Sequence, residues 1–135
     1  RVFRDPALRQ RLNAIMHPRV GAEMARRTEA ARRAGAPLVV LDIPLLFETG
    51  HERDFDCVIV TACDGEEQVR RAAGRSGVTE ADARRRIAAQ WPLAEKVRRA
   101  DIVVRTDGTI EETRRQARAV WDALRRRATV GYSID

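Results

Sequence analysis

The sequence has 135 residues, of which 44% are hydrophobic and 34% are charged. That length suits one domain with a core of its own, and the composition is that of a globular chain rather than a disordered one. No apolar run approaches the ~20 residues that a membrane helix needs, and no segment has the pattern of a secretion signal. Cys57 and Cys63 lack the spacing of a metal site, so we expect free thiols.

The net charge is +6, and Lys96 is the single lysine among 26 basic residues. Because the planar guanidinium matches phosphate and carboxylate oxygens, this excess of arginine permits an anionic partner. A codon bias toward arginine in a GC-rich genome is an alternative explanation. A basic nucleic-acid-binding module also stays open, although an aromatic content of 4% leaves few rings for base stacking.

The first third of the chain predicts two helices and a strand. Asp5 and Pro6 form a helix start, as N-cap and first helical residue, and apolar residues then recur at helical spacing. Pro18 predicts a break, with a second helix over 19–33. The segment LVVLD, 38–42, predicts a short strand that is buried on both faces.

Two further strands are predicted at DCVIVTA, 56–62, and DIVV, 101–104. Between and after them the spacing predicts helices over about 66–73, 79–91, 93–100 and from 109 onward. Capping boxes, Thr79 with Asp82 and Thr109 with Glu112, mark two of the helix starts. Short apolar strands that alternate with helices indicate an α/β fold with a parallel sheet.

We therefore expect one α/β domain over residues 1–127, in which the helices of 66–99 protrude, and a loose tail at 128–135. Ligands of open α/β sheets bind beyond the carboxyl ends of the strands. After the predicted strand 38–42 stand Asp42, Pro44 and the run Leu45-Leu46-Phe47. Pro44 would turn the chain across the sheet edge, and the apolar run would line a pocket. The alternative is that this run belongs to the core.

The basic segment from 68 to 86 contains arginines beside a glycine-bearing loop. Most of them suit the solvated face of a helix, but Arg71 and Arg75 share one face next to the loop. Such arginines can cover a polyphosphate and neutralise charge during phosphoryl transfer. The chain contains no G-x-x-x-x-G-K-[ST] motif. If it handles nucleotides, we expect the phosphate cradle to lie upstream of residue 1.

Several segments occur together in a specific order: RLNAIMHPRV (11–20), DIPLLFETG (42–50), VIVTACDGEEQVRRAAGRSGVT (58–79), RIAAQWPLAEKVRRADIVV (86–104) and GTIEETRRQARAVWDAL (108–124). In this combination the chain resembles the C-terminal two-thirds of the dephospho-coenzyme A kinase family. The resemblance implies a three-layer P-loop NTPase fold of the nucleotide-kinase type, with a parallel sheet and a helical lid over 66–99 but without the N-terminal P-loop unit.

The same resemblance implies transfer of the ATP γ-phosphate, with Mg²⁺, to the ribose 3′-hydroxyl of dephospho-CoA in the cytoplasm. The implied partners are these small molecules, with no nucleic acid and no membrane, and the oligomeric state stays open. Without a P-loop, the chain alone is expected to be inactive. Another nucleoside or nucleotide kinase of the same fold is the alternative.

For the acceptor, the resemblance assigns Leu45 to a position that contacts the substrate. Asp42 and Glu48 belong to the same motif, as does Pro44, and Asp42 and Pro44 are further candidates for binding the acceptor. His17 matches a family histidine near the acceptor site or at a helix end.

For the phosphates, the resemblance assigns Arg71 to the lid arginine that engages them during transfer, and Arg75 to a second lid arginine. Gly108 matches the glycine of a turn next to the adenine. The residues before it, Arg105 and Thr106, depart from the family pattern D-N-x-G, which weakens any adenine contact inferred from this turn.

Overall fold

The computed structural model describes residues 6–75 and 77–130. The chain divides into two compact units, one of residues 1–42 and 127–135 and the other of residues 43–126. The second unit contains the whole of the predicted lid, 66–99. The expectation of one kinase domain over 1–127 stays a prediction.

The first unit is built on one long helix, α1, Pro6–Arg33. The predicted break at Pro18 is wrong, because α1 continues through it. Proline removes one main-chain hydrogen bond, and long helical runs on both sides can outweigh that local cost. Ion pairs of Glu23 and Glu29 with arginines three and four residues later add exposed support. The predicted N-cap Asp5 lies outside the described residues.

The predicted strand at 38–42 is also wrong, because this segment has no regular secondary structure. Val40 is 64% exposed, so the expectation of burial on both faces fails too. A strand needs a hydrogen-bonded neighbour, and in the described part of the chain the sheet consists of two other strands.

The second unit contains a parallel pair of strands, β1 (Ile59–Ala62) and β2 (Ile102–Arg105). Ile59 pairs with Ile102, and Ala62 pairs with Arg105. Both strands lie where the apolar runs predict them, although β1 is shorter and β2 is shifted by one residue. The parallel arrangement confirms the expected α/β class.

The remaining elements of the described chain are α2 (Leu46–Thr49), a 3₁₀ turn (Glu52–Asp54), α3 (Gly65–Ala73), α4 (Glu80–Ala88), α5 (Leu93–Arg99) and α6 (Ile110–Val130). Both predicted capping boxes form. The Thr79 hydroxyl accepts the Asp82 amide, and the Thr109 hydroxyl accepts the Glu112 amide. Helix α6 continues past the predicted tail boundary at 128, and residues 131–135 lie outside the description.

The core of the second unit lies where α2, β1 and α5 meet. Its buried centre is Phe47, Val58 and Val60, and Leu93 and Val97 of α5 pack against it. Along the chain, α3 and α4 follow β1 and precede α5, and these two helices pack on each other as a hairpin. None of the helices in ranges 6–75 and 77–130 is long and apolar enough to cross a membrane.

Candidate active site

The turns that follow β1 and β2 lie side by side. The Thr106 amide donates a 2.8 Å hydrogen bond to the Ala62 carbonyl, and the Thr106 hydroxyl donates to the same oxygen at 3.3 Å. Pairing of the strands thus continues one residue beyond the end of β2. The two turns therefore lie together at the carboxyl ends of the strands, which is where ligands bind in open α/β sheets.

Asp107 ties these two turns together. Its carboxylate accepts the backbone N–H of Asp64 and pairs with the Arg105 guanidinium at 2.5 Å. Burial raises the pKa of Asp107, but the hydrogen bonds from Asp64 and Arg105 outweigh it and hold that pKa below its ordinary value. The carboxylate therefore stays ionised, and it holds the turn after β2 against the start of α3. Asp64 in turn caps α3 through the Glu66 amide at 3.1 Å.

Arg71, the predicted phosphate-binding arginine, reaches this edge from α3. Its Nη1 donates to the Thr106 hydroxyl at 3.1 Å, and its Nη2 donates to the Thr106 carbonyl at 2.6 Å. The Nε atom donates to Glu67 at 2.6 Å. Burial raises the pKa of Glu67, and hydrogen bonds from Arg70 and Arg71 outweigh it, so the pKa is lowered. Arg71 thus contacts Thr106, which lies two residues before Gly108 in the same turn.

Gly108 closely approaches the side chain of Glu112, and its backbone angle is an ordinary one. A Cβ atom at this position would overlap the Oε2 atom of Glu112. That same oxygen accepts the Thr109 amide at 2.8 Å and completes the cap of α6. The glycine therefore lets the turn and the start of α6 share a small space.

Arg75 is not brought to this turn. It is exposed beyond the end of α3, and among the residues described no hydrogen bond or ion pair engages its guanidinium. Its backbone carbonyl accepts the Val78 amide in the loop that leads to α4. A different arginine, Arg84 of α4, links the two helices of the α3–α4 hairpin. It pairs with Glu66 of α3 at 2.9 and 3.1 Å and with Glu80 of its own helix at 2.9 Å.

Among the residues that are predicted to contact the acceptor, Pro44 and Leu45 form a turn before α2, and both are exposed. Leu45 is 42% exposed whereas Phe47 is 5% exposed. The alternative that the run belongs to the core is right for Phe47, whereas a pocket lined by Leu45 stays a prediction.

Asp42 and His17 belong to the first unit. Asp42 is exposed in the irregular segment before Ile43, and His17 is exposed in the middle of α1. The position of His17 inside a continuous helix removes the alternative that it ends one.

Glu48 and Lys96 form a contact that sequence reasoning did not identify. Lys96 Nζ lies 2.5 Å from Glu48 Oε1, and the two side chains are only 11% and 16% exposed. The same carboxylate oxygen accepts the backbone N–H of Trp91 at 2.9 Å. The available signal was the presence of both residues in the motifs that carry the family resemblance. Their spacing along the chain gave no reason to pair them.

Parallel strands joined through helices α3–α5 define the class of this protein as an α/β fold. A family model described as dephospho-CoA kinase matches residues 1–112. The chain belongs to the dephospho-CoA kinase family, and the predicted resemblance is confirmed.

Two curated relatives are dephospho-CoA kinases. The chain is 52% identical over 126 residues to that of Geobacillus kaustophilus, covering 91% of this chain and 63% of the relative. It is 48% identical over 122 residues to that of Symbiobacterium thermophilum, covering 90% and 51%. A solved structure from Thermus thermophilus is 39% identical with a TM-score of 0.73, covering 91% and 63%. The chain thus spans between about half and just under two thirds of these proteins.

Proposed function

We propose that the protein carrying this sequence transfers the γ-phosphate of ATP to the ribose 3′-hydroxyl of dephospho-CoA, the last step of coenzyme A synthesis. The observation that carries this proposal is the placement of Arg71 on the turn after β2, at the carboxyl edge of parallel strands. Family membership supplies the reaction, and this edge is where such folds bind phosphorylated ligands.

In this proposal Arg71 engages the transferring phosphate. Its present partners are a carbonyl, a hydroxyl and the Glu67 carboxylate, all of which phosphate oxygens can replace as acceptors. Arg75 lies four residues further along the chain, beyond the end of α3, so it does not share a helix face with Arg71; its exposed guanidinium is proposed as the second phosphate contact. Gly108 keeps the neighbouring turn compact beside the nucleotide.

The acceptor in this proposal lies against Leu45. Exposed Leu45 and Pro44 offer an apolar wall for the largely apolar pantetheine arm. Asp42 and His17 are proposed as further acceptor contacts, on the strength of the motifs that contain them.

ATP and Mg²⁺ belong to the proposal as cofactors. In P-loop kinases the metal is held by a loop Ser or Thr and by an aspartate. The sequence contains no such loop, and within ranges 6–75 and 77–130 no three His, Cys, Asp or Glu side chains converge. We also propose a cytoplasmic location and small-molecule partners only.

The test uses the complete reading frame that contains this sequence. ATP-dependent phosphorylation is measured with dephospho-CoA and with a panel of nucleosides and nucleoside monophosphates. Arg71→Ala is expected to lower kcat by about a hundredfold or more, as loss of an electrostatic contact to developing charge does. Arg118→Ala, an exposed arginine of α6, is the matched control and should keep the wild-type rate.

A full rate in Arg71→Ala would refute the role given to that arginine. Preference for another acceptor would replace dephospho-CoA in the proposal. The 135-residue chain by itself should show almost no turnover, because it contains no phosphate-binding loop. Robust turnover by this chain would show that the site is misplaced.

A further inference from the structure

The segment from Leu45 to Asp54 is held to α5 by two ion pairs. Glu48 pairs with Lys96 at 2.5 Å, and Glu52 pairs with Arg99 at 3.7 Å. Lys96 and Arg99 are three residues apart, so both side chains leave the same face of α5. We call these four residues the ion-pair clamp.

An aromatic layer closes one side of the clamp. The Trp91 ring stacks on Phe47 with centroids 6.4 Å apart, and the Arg99 guanidinium lies 4.7 Å from the Trp91 centroid. Trp91 stands at the junction of α4 and α5, and its amide is the one that Glu48 accepts. The clamp thus joins the segment from Leu45 to Asp54 to the end of α4, where the α3–α4 hairpin meets α5. We call this place the hairpin root.

The clamp is not explained by stability alone. Burial raises the pKa of Glu48, yet hydrogen bonds from Lys96 and from backbone amides outweigh it and lower that pKa. The second oxygen, Oε2, is buried without a hydrogen-bond partner among the described residues, and the same is true of Glu52 Oε2. The Glu48–Lys96 pair is largely buried, and such pairs seldom stabilise more than an apolar pair of the same size, so a role in fixing geometry accounts for this pair better.

The geometry that the clamp fixes is that of Leu45. Helix α2 is only four residues long, and such a helix does not persist by itself. Next to Glu48, Thr49 donates its amide at 3.1 Å and its hydroxyl at 3.1 Å to the Leu45 carbonyl. Holding Glu48 therefore holds the backbone that presents the exposed Leu45 side chain.

We propose that Lys96 and Glu48 are positioning residues for the acceptor. By holding α2 against α5, they fix the exposed Leu45 wall at the distance from the hairpin root that the apolar arm of the acceptor requires. This proposal rests on the proposed function in naming the acceptor. The existence of the clamp and its hold on α2 do not depend on that function.

The test compares four variants of the complete protein: Lys96→Met, Lys96→Arg, Glu48→Gln and the double variant Glu48→Gln/Lys96→Met. Met has about the length of Lys without its charge, and Arg keeps the charge. Arg98→Ala is the matched control, because Arg98 lies on the same helix and is an exposed partner of Glu95. The thermal midpoint of every variant is recorded beside its kinetics.

Lys96→Met is expected to raise KM for dephospho-CoA about tenfold, which corresponds to about 1.4 kcal/mol of lost binding. KM for ATP should stay within about twofold, because a lost positioning contact on one substrate leaves the other in place. Lys96→Arg should restore most of the acceptor KM. The double variant should have a dephospho-CoA KM no higher than that of Lys96→Met. In Lys96→Met the Glu48 carboxylate is left buried without its cation, whereas in the double variant the side chain at position 48 carries no charge. Arg98→Ala should match the wild type.

Hydrogen exchange provides a readout that needs no activity. In Lys96→Met the amides of residues 46–50 should exchange faster by about fivefold or more, while those of β1 stay protected, since only the α2 anchorage is lost. If these amides keep their wild-type rates, or if both KM values rise together with a fall in thermal midpoint, the positioning role is overturned. If wild type does not phosphorylate dephospho-CoA, the proposed function fails, and the exchange data still decide whether the clamp holds α2.

Discussion

Replacing Phe47 by Ala tests whether this short segment divides into a core residue, Phe47, and a proposed ligand contact, Leu45. Phe47 is 5% exposed and packs with Val58 and Val60, so its truncation leaves a cavity that the neighbouring strand cannot fill. Removal of a buried phenyl ring costs about 3–5 kcal/mol, and the lost stacking on Trp91 belongs to that cost. Typical domains have about 5–15 kcal/mol of stability in total, so the loss is large.

The matched variant is Leu45→Ala, two residues earlier. Leu45 is 42% exposed, so truncation should cost about 1 kcal/mol or less of unfolding free energy. Urea unfolding followed by far-ultraviolet circular dichroism measures both values, and dephospho-CoA KM is measured on the complete protein. We expect Phe47→Ala to lower the urea midpoint strongly and Leu45→Ala to raise KM with little change in midpoint. Equal midpoints for the two variants would refute the division of this segment into core and wall.

Two further predictions follow from the caps and carboxylates. Gly108→Ala should displace the Glu112 side chain from the α6 cap and cost about 0.5–2 kcal/mol in urea unfolding. Gly21→Ala, with open space around its Cβ, should not destabilise the chain. Because the folded pKa of Glu48 is lowered, its stabilisation is complete above the unfolded value of about 4.3 and is lost as pH falls through the folded value. Glu48→Gln should therefore flatten the acid side of a stability–pH curve, and an unchanged slope would contradict the ionised pair. Glu111→Gln, an exposed residue on α6, serves as the control.

Arg71 shows how far sequence reasoning reaches into the site. Its place in the family motif and its position beside a glycine-bearing loop identified it as a phosphate contact, which stays a proposal. The contact with Thr106 was not predicted, since the two residues are 35 apart and neither has a local pattern that indicates the other.

Local physics allowed the sequence by itself to determine β1, β2, helices α3–α6 and the capping boxes at Thr79 and Thr109. Apolar runs, helical spacing and N-cap chemistry act over a few residues, so they can be read directly from neighbouring letters. The order of these elements was enough to determine the parallel α/β class, and the combined motifs were enough to identify the family.

Only the tertiary structure decided the remaining points. The continuity of α1 through Pro18 and the unpaired state of 38–42 depend on what surrounds these segments, not on their own letters. Leu45 is exposed and Phe47 is buried because it is the Phe47 side chain that packs with Val60 of β1 and stacks on Trp91. The pairing of Glu48 with Lys96 arises because α2 and α5 pack on the same core, and residues so far apart in the chain become neighbours only through that packing.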